Sequence, residues 1–285
     1  MPLQVSDLKA GGTIVLTGAT SGIGRALALS CAESKAHLIL PVRNMNKGAD
    51  IVREIERLGG TAELIFCDLA SLESVHECAQ NILGMGLSIE ALVNNAGIFN
   101  SRRVATKEGY EETMVVNHLA PFLLTLELLE VLDRPNVRII TVSSQAHRYG
   151  RLDLSDPFYN KRYVPMAVYG GSKLANIVFT QQLSQKLHFA KAYSVHPGVV
   201  ATNIGGEQKG VWGWAFRCFR YFMKTPQQGA QPILRLLTEP ISDDMSGGYF
   251  NGLKYTEPSK DAQDQDFGAQ LWLWSLQAID RVQNV

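Results

Sequence analysis

The chain has 285 residues, 46% of them hydrophobic, and its 27 basic side chains equal its 27 acidic ones. Because the charges balance, no overall field attracts nucleic acid, and we expect no nucleic-acid partner. The length suffices for one large α/β domain, which we expect to span residues 1–285. No stretch reaches the ~18 uninterrupted apolar residues of a membrane span. The first residues lack a signal-peptide core, so we expect a cytoplasmic protein and leave contact with a membrane surface open.

Strand-like and helix-like segments alternate along the chain, as in a doubly wound parallel sheet. Strands are predicted at 13–17, 37–42, 63–67, 90–94, 137–142, 191–196 and 248–251. Helices are predicted at 22–34, 44–58, 71–84, 110–132, 169–187, 226–238 and 261–281. No repeat or linker interrupts the series. The alternation predicts a Rossmann-type α/β fold of about seven strands, with helices on both faces of the sheet.

A glycine-rich turn follows the first predicted strand. The segment TIVLTGATSGIG places Gly18, Gly22 and Gly24 between a β-branched strand and a helix-like stretch. Glycines at such a turn let the backbone approach a pyrophosphate, and the following helix N-terminus directs free N–H groups at the anion. An ordinary glycine turn is the alternative. The position directly between strand and helix favours a phosphate loop.

Tyr169 and Lys173 are four residues apart, so in a helix they lie on one face, one turn apart. A tyrosine normally titrates near pH ~10, and a nearby positive charge lowers that pKa. The pair could therefore supply an acid or base at neutral pH. Alone it is a weak signal. It gains weight from the glycine turn upstream and from Ser143 and Ser144 at the end of the fifth predicted strand.

Five segments occur in a recognisable order: TGATSGIG at 17–24, NNAG at 94–97, VSS at 142–144, YGGSK at 169–173 and HPG at 196–198. Along nearly the whole chain they resemble the motif series of the short-chain dehydrogenase/reductase family. Four longer segments are similar to its retinol-dehydrogenase-like branch: VVNHLAPFLLT at 115–125, SSQAHRYGRLD at 143–153, YGGSKLANIVFT at 169–180 and MKTPQQGAQ at 223–231.

The resemblance implies a catalytic tetrad of Asn117, Ser144, Tyr169 and Lys173. The tyrosine would exchange a proton with the substrate oxygen, and Ser144, rather than Ser143, would hold that oxygen. The lysine would lower the pKa of the phenol and bind the nicotinamide ribose. Asn117 would hold a water in a proton relay to the lysine. Taken alone, Asn117 fits a capped or exposed amide equally well.

The resemblance also implies a cofactor site. Beyond Tyr169 and Lys173, the matching positions are Gly18, Ser21, Gly22, Ile23, Gly24, Arg43, Asp68, Leu69, Asn95, Gly97, Pro197, Gly198, Val200 and Thr202. NAD-preferring members carry an acidic residue after the second strand, where this chain has Val42 and Arg43. A guanidinium there can bind a 2′-phosphate, and Arg25 could add positive charge. We therefore expect NADP(H) as the cofactor.

No metal site is expected. The four cysteines form no CxxC pair, and we expect buried, reduced thiols. His118, His147 and His196 lie within or beside the motifs, but their spacing is not that of a zinc site. We interpret them as structural polar groups.

Two segments lie outside the sheet-and-helix pattern. The insertion 151–168 is charged and aromatic, which favours a surface flap over the site. Residues 203–225 combine bulky aromatics with three cations, and the resemblance makes this segment the substrate lid. Its aromatics would line an apolar pocket. Core packing and an amphipathic element at a membrane surface remain the alternatives.

Gly170 and Gly171 are unusual in a predicted helix, where each costs roughly 1 kcal/mol relative to alanine. They either leave room for substrate or nicotinamide beside the phenol, or are simply tolerated in the first turn. The residues alone do not separate these two interpretations.

The expected function is hydride transfer between NADP(H) and a carbonyl or alcohol on a small, lipophilic substrate of retinoid, steroid or fatty-carbonyl type. One alternative is reduction of a conjugated C=C bond in a pigment or enone. Another is a catalytically silent NADPH-binding sensor or scaffold, which the intact tetrad disfavours. The oligomeric state, monomer or homodimer, is left open.

Overall fold

The structure, a computed structural model, describes residues 12–199 and 224–283. Its strands are β1 (Thr13–Leu16), β2 (His37–Val42), β3 (Thr61–Phe66), β4 (Ile89–Asn94), β5 (Arg138–Val142), β6 (Lys191–His196), β7 (Tyr249–Asn251) and β8 (Lys254–Tyr255). They form one sheet in the order β3-β2-β1-β4-β5-β6-β7-β8. The pairs from β3 to β7 are parallel, and the short β8 lies antiparallel on β7. The predicted α/β fold is confirmed, with one edge strand beyond the seven predicted.

The helices are α1 (Gly22–Glu33), α2 (Met45–Arg57), α3 (Leu72–Gly84), α4 (Glu112–Met114), α5 (Ala120–Glu127), α6 (Leu129–Leu132), α7 (Pro165–Ser184), α8 (Pro226–Thr238), α9 (Lys260–Gln263) and α10 (Gln265–Gln283). A π-helical turn (Val115–Leu119) joins α4 to α5. Short 3₁₀ turns lie at Gln145–Tyr149 and Asp243–Met245. None of the described helices is long and apolar enough to cross a membrane.

Each central strand contributes to two cores because successive side chains point to opposite faces of a sheet. Ile14 and Leu16 of β1 pack with α1, α2 and α8 on one face. Val15, between them, packs with α3, α5, α7 and α10 on the other. All four residues of β1 are buried. Because helices cover both faces of the sheet at β1, its side chains are apolar on both faces and do not alternate between apolar and polar.

The strand order reverses between β1 and β4, so their loops diverge at the carboxyl edge of the sheet. In open α/β sheets a crevice forms outside this edge and binds ligands. The glycine turn after β1 and the NNAG segment at the end of β4 both lie here. Pro41 in β2 is tolerated although it has no N–H to donate to a neighbouring strand. Its backbone nitrogen lies on the side of β1, and the β1–β2 pairing has already ended at Ile39.

Three helices differ from the prediction, and one of them, 261–281, is divided at Asp264 into α9 and α10. α7 begins at Pro165, four residues before the predicted start, because proline suits the first helical turn and Val164 before it is extended. The predicted helix 110–132 is divided by the π-helical turn. Pro121 follows this turn and lacks the N–H that would bond the carbonyl of Asn117 in a regular α-helix.

The insertion 151–168, predicted to be a surface flap, is anchored to the protein body through its aromatic residues. Tyr159 is 9% exposed, and its hydroxyl donates to the Arg151 carbonyl at 2.6 Å. Phe158 stacks on Tyr110 with ring centroids 4.1 Å apart. Arg103 donates to the Phe158 carbonyl at 3.1 Å. The aromatic residues of the insertion therefore serve packing.

Neither interpretation of Gly170 and Gly171 holds. Both lie beyond the first turn of α7, and backbone crosses them closely. A Cβ on Gly170 would lie 2.5 Å from the Ala146 carbonyl oxygen and 2.7 Å from the Gly150 backbone. A Cβ on Gly171 would lie 2.2 Å from the Tyr159 hydroxyl. These glycines let the 3₁₀ turn and the insertion pack directly on α7.

We predict that Gly170→Ala lowers the free energy of unfolding by about 1–3 kcal/mol, because the added methyl group meets backbone that cannot rotate away. Gly84→Ala is the matched control. Gly84 ends α3 with nothing within 4 Å of an added Cβ, so this substitution should stabilise by about 0.5–1 kcal/mol. Urea unfolding measures both, and equal stability of Gly170→Ala and wild type would contradict the packing described.

Candidate active site

Lys173 lies buried beneath Tyr169 on α7. Its side chain is 3% exposed, and its ammonium lies 5.7 Å from the centre of the Tyr169 ring. The Nζ donates to the carbonyl oxygen of Val142, the last residue of β5, at 3.1 Å. Burial lowers the pKa of Lys173 to about 8. In the part of the chain that the structure describes, no carboxylate lies within ion-pairing distance of this ammonium.

The Tyr169 phenol and the Ser144 hydroxyl lie near each other. Burial raises the pKa of the Tyr169 phenol, and the Ser144 hydroxyl opposes that shift. The expected lowering by Lys173 is absent from this geometry. The ammonium binds the Val142 carbonyl, and burial disfavours its own charged form. The phenol therefore remains protonated at neutral pH.

The two neighbouring serines have different partners. Ser143 is 2% exposed and donates its hydroxyl to the carbonyl of Lys173 at 2.7 Å. The Ser144 hydroxyl oxygen accepts from the backbone N–H of Ala146 at 3.2 Å, so its hydrogen remains free to donate toward Tyr169. Ser143 thus joins β5 to α7, and Ser144 lies on the side of Tyr169.

Asn117 is neither an exposed nor a capping amide, because it is 1% exposed within the π-helical turn. Its Oδ1 accepts from the Ile98 N–H at 2.8 Å, and its Nδ2 donates to the Ile98 carbonyl and to the Ser172 hydroxyl, both at 3.0 Å. The side chain is therefore occupied by protein groups. Pro121 has no N–H, so the backbone carbonyl of Asn117 lacks the partner that a regular α-helix would give it.

The glycine turn forms a cradle that a side chain would fill. Gly18 has φ +72°, and a Cβ on Gly24 would lie 2.2 Å from the Gly18 carbonyl oxygen. Ser21 occupies the N-cap of α1 without a side-chain capping bond, Ile23 is buried, and the first turn has no acidic residue. The helix N-terminus is thus open to an anion, and the residues present fit a pyrophosphate.

Asn95 holds the start of this turn through hydrogen bonds to Thr17. Its Nδ2 donates to the Thr17 carbonyl at 2.9 Å, and its backbone N–H donates to the Thr17 hydroxyl at 3.0 Å. Gly97 lies next to two members of the predicted tetrad, since a Cβ there would be 3.2 Å from Lys173 Nζ and 3.3 Å from Asn117 Oδ1. The NNAG segment therefore joins the cradle to the lysine.

Arg43 and Asp68 follow β2 and β3 at the same edge. The Arg43 side chain is 71% exposed, and its guanidinium lies 3.8 Å from the Asp68 carboxylate, a loose contact. Asp68 also accepts from the Ala70 N–H at 3.1 Å, and Leu69 packs on the neighbouring core. Arg25 pairs with Glu54 of α2, so it does not add the free positive charge expected of it.

Pro197 and Gly198 follow β6, and Gly198 has φ +100°. A Cβ there would lie 2.8 Å from the Lys224 side chain. Val200, Thr202 and nearly all of the predicted lid 203–225 lie outside the described residues.

The sequence analysis did not identify the residues that bond to the predicted tetrad. Ser172 bonds Asn117, and Asn176 donates to the Val142 carbonyl at 3.3 Å, beside the Lys173 ammonium. A signal existed, because Asn176 lies three residues after Lys173 on the same face of an otherwise apolar helix. The described residues hold no metal-like cluster of His, Cys, Asp or Glu. Cys31, Cys67 and Cys78 are buried free thiols, as expected.

A pyrophosphate cradle and a phenol–lysine pair at one edge of a doubly wound sheet fit a dinucleotide-dependent oxidoreductase. The chain belongs to the short chain dehydrogenase family, whose model matches residues 12–210. It is 36% identical to human retinol dehydrogenase 13, over 94% of this chain and 85% of that protein. The retinol-dehydrogenase-like resemblance is therefore confirmed.

Two solved structures support the fold. A protein from Mycobacterium paratuberculosis superposes with a TM-score of 0.79 at 30% identity, covering 98% of both chains. A protein from Beutenbergia cavernae, described as an NAD(P)-dependent gluconate 5-dehydrogenase with NADP bound at low occupancy, gives a TM-score of 0.69 at 26% identity. That match covers 87% of this chain and 97% of the other.

We predict that Lys173→Met stabilises the protein at pH 7. The pKa of Lys173 is lowered from 10.5 to about 8, a cost of roughly 3 kcal/mol for the charged form. After loss of the Val142 bond, about 1–2 kcal/mol should remain as a gain.

The stability difference between Lys173→Met and wild type should depend on pH. Between about pH 8 and 10.5 the folded lysine loses its proton while the unfolded one keeps it. Wild-type stability therefore rises with pH in this window, and the advantage of the variant should shrink. Thermal melts at both ends test this, with exposed Lys186→Met as the control. A variant less stable than wild type at pH 7 would contradict the burial cost.

Proposed function

We propose that this protein is an NADP(H)-dependent oxidoreductase that interconverts a lipophilic carbonyl compound and its alcohol, with Tyr169 exchanging the proton. The observation that carries the proposal is the Tyr169 phenol, with the Ser144 hydroxyl near enough to influence its pKa, above a buried lysine that has no carboxylate partner among the described residues. A charged group is rarely buried without such a partner unless it has a function.

When bound, NADPH supplies a hydride to the carbonyl carbon and becomes NADP⁺. As the C=O π bond breaks, negative charge develops on the oxygen, and the Tyr169 phenol gives this oxygen its proton. The Ser144 hydroxyl donates a hydrogen bond to the same oxygen. Burial raises the pKa of the phenol, so Tyr169 holds the proton that reduction requires. The proton lost by Tyr169 must then return from solvent.

Lys173 and Asn117 maintain this site. The lysine is largely charged at neutral pH, with a pKa of about 8, and its ammonium holds the Val142 carbonyl at the end of β5. It also stands where it could donate to the ribose of a nicotinamide nucleotide. The Asn117 carbonyl, which Pro121 leaves without an α-helical partner, suits a water that returns the proton.

The proposed preference for NADP(H) rests on the edge of the sheet beyond β2. The guanidinium of Arg43 is mostly exposed and only loosely paired, so it can form charge-assisted bonds to a 2′-phosphate. NADP bound to the structural relative from Beutenbergia cavernae agrees with this assignment for the fold.

The proposed lipophilic substrate is supported by apolar groups beside Tyr169. Phe99 packs edge-to-face on the Tyr169 ring, with centroids 5.7 Å apart. Met166, three residues earlier on α7, is 51% exposed, and Tyr149 in the turn after Ser144 is 73% exposed. Large exposed apolar groups beside a site suit an apolar ligand. The name of the human relative points to retinoids, which belong to this class.

Tyr169→Phe should lower kcat by about 10²–10⁴-fold, because only the transferable proton is lost. NADPH affinity should stay near the wild-type value. Tyr255→Phe, at an exposed tyrosine on β8, is the control and should change neither quantity. Carbonyl reduction followed by nicotinamide absorbance and binding followed by NADPH fluorescence measure the two effects. Substantial turnover by Tyr169→Phe would refute the assignment.

The substrates in this assay should include retinal, a steroid ketone, a fatty aldehyde and an enone, with chromatographic identification of products. An alcohol product supports the proposal. A saturated ketone from the enone would support C=C reduction instead, and NADPH binding without turnover on any compound would support a silent sensor.

Arg43→Ala should weaken NADPH binding about 10- to 100-fold and leave NADH binding within about two-fold, because the lost charge-assisted bonds reach only the 2′-phosphate. Arg53→Ala is the matched control, since it removes an exposed arginine from nearby α2. Titration with each nucleotide at fixed salt measures the ratio. Equal weakening for both nucleotides would contradict this role of Arg43.

A further inference from the structure

His147 lies outside the predicted tetrad but directly beside it. It is 1% exposed and belongs to the 3₁₀ turn that follows Ser144. Its Nδ1 lies 2.7 Å from the Ser144 carbonyl oxygen, and its Nε2 lies 3.1 Å from the backbone nitrogen of Ser259. The ring edge packs on Tyr249, with centroids 5.0 Å apart.

These partners define the tautomer. A backbone N–H only donates, so Nε2 must accept from Ser259. A carbonyl only accepts, so Nδ1 must carry the hydrogen and donate to Ser144. Burial favours this neutral ring, because it lowers the pKa of His147 more than the bond to Ser144 raises it, and the nearby Arg148 also lowers it. The imidazole thus joins the Ser144 peptide to the segment 256–259 through two directional bonds.

Ser144 needs this support. It leaves the end of β5 in an extended conformation, with φ −153° and ψ 154°, and then enters the 3₁₀ turn. Its hydroxyl oxygen accepts from the Ala146 N–H, so the direction of the hydroxyl hydrogen depends on the orientation of this short backbone segment. The carbonyl of the same residue accepts two bonds from His147, one from the backbone N–H at 3.1 Å and a shorter one from Nδ1–H at 2.7 Å. Rotation of the Ser144 peptide would move the hydroxyl away from the phenol.

We propose that His147 is a positioning residue for the reaction, holding the Ser144 peptide through Nδ1–H so that the serine hydroxyl faces Tyr169 and the substrate oxygen. This inference rests on the proposed function. A misplacement of a reacting group by about 1 Å can cost on the order of 10²-fold in rate. The role therefore concerns kcat more than cofactor affinity.

Two substitutions test the two ring nitrogens of His147 separately. His147→Asn places an amide N–H near Nδ1 and keeps a donor for Ser144, but loses the acceptor for Ser259. His147→Gln places an amide oxygen near Nε2 and keeps the acceptor for Ser259, but loses the donor for Ser144. Arg148→Ala is the control for loosening the C-terminal segment, because Arg148 donates to the Glu257 carbonyl at 2.9 Å.

His147→Gln should lower kcat about 10- to 100-fold with the KM for NADPH within about two-fold of wild type. His147→Asn should remain within about three-fold of wild-type kcat, although both variants melt at lower temperature. Arg148→Ala should keep wild-type kcat. Equal kcat in the Asn and Gln variants, or a kcat that follows the melting temperature across all three, would overturn the positioning role.

Failure of this inference is distinguishable from failure of the proposed function. A wild-type protein without NADPH-dependent carbonyl reduction, or an active Tyr169→Phe variant, would overturn the proposed function and this inference with it. An active wild type, an inactive Tyr169→Phe and a fully active His147→Gln would overturn only the inference.

Discussion

The buried hydrogen bond from the Lys173 ammonium to the Val142 carbonyl joins the end of β5 to the middle of α7, and the arrangement of the site depends on it. Asn176 donates to the same carbonyl, and Ser143 donates to the carbonyl of Lys173 from the strand side. These bonds align strand and helix at the point where Ser144 leaves the sheet and Tyr169 projects above it. Two hydroxyl groups 25 positions apart in the chain thereby become neighbours.

The site is shaped as much by missing side chains as by those present. Gly18 and Gly24 bring the loop after β1 close enough to leave an open helix N-terminus. Gly170 lets the turn after Ser144 lie directly on α7, and Gly97 leaves space against Lys173 and Asn117. In each place a methyl group would have to displace backbone or a polar group of the site. Close packing around the cradle and the tetrad explains why glycine occurs there despite its entropic cost.

Polar groups buried at the site reduce stability and define geometry. Lys173 is buried without a carboxylate partner among the described residues, and Asn117 uses both of its side-chain polar atoms to hold the Ile98 backbone. His147 uses both ring nitrogens in the same way. A core made only of apolar residues would be more stable but would not fix these directions. Such local conflicts with stability are typical of functional sites.

The sequence alone determined the α/β alternation, nearly all strand positions and the glycine-rich turn, and its motifs predicted the members of the tetrad. These depend on periods of two and 3.6 residues and on motifs whose members lie a few positions apart. Only the tertiary structure decided that Arg25 pairs with Glu54, that burial raises the pKa of Tyr169, and that the 151–168 insertion packs on the body of the protein. It also decided that Gly170 and Gly171 serve packing and that His147 bridges Ser144 and Ser259. Each of these outcomes depends on contacts between elements or on burial, which residues distant in the chain create together and which no local pattern encodes.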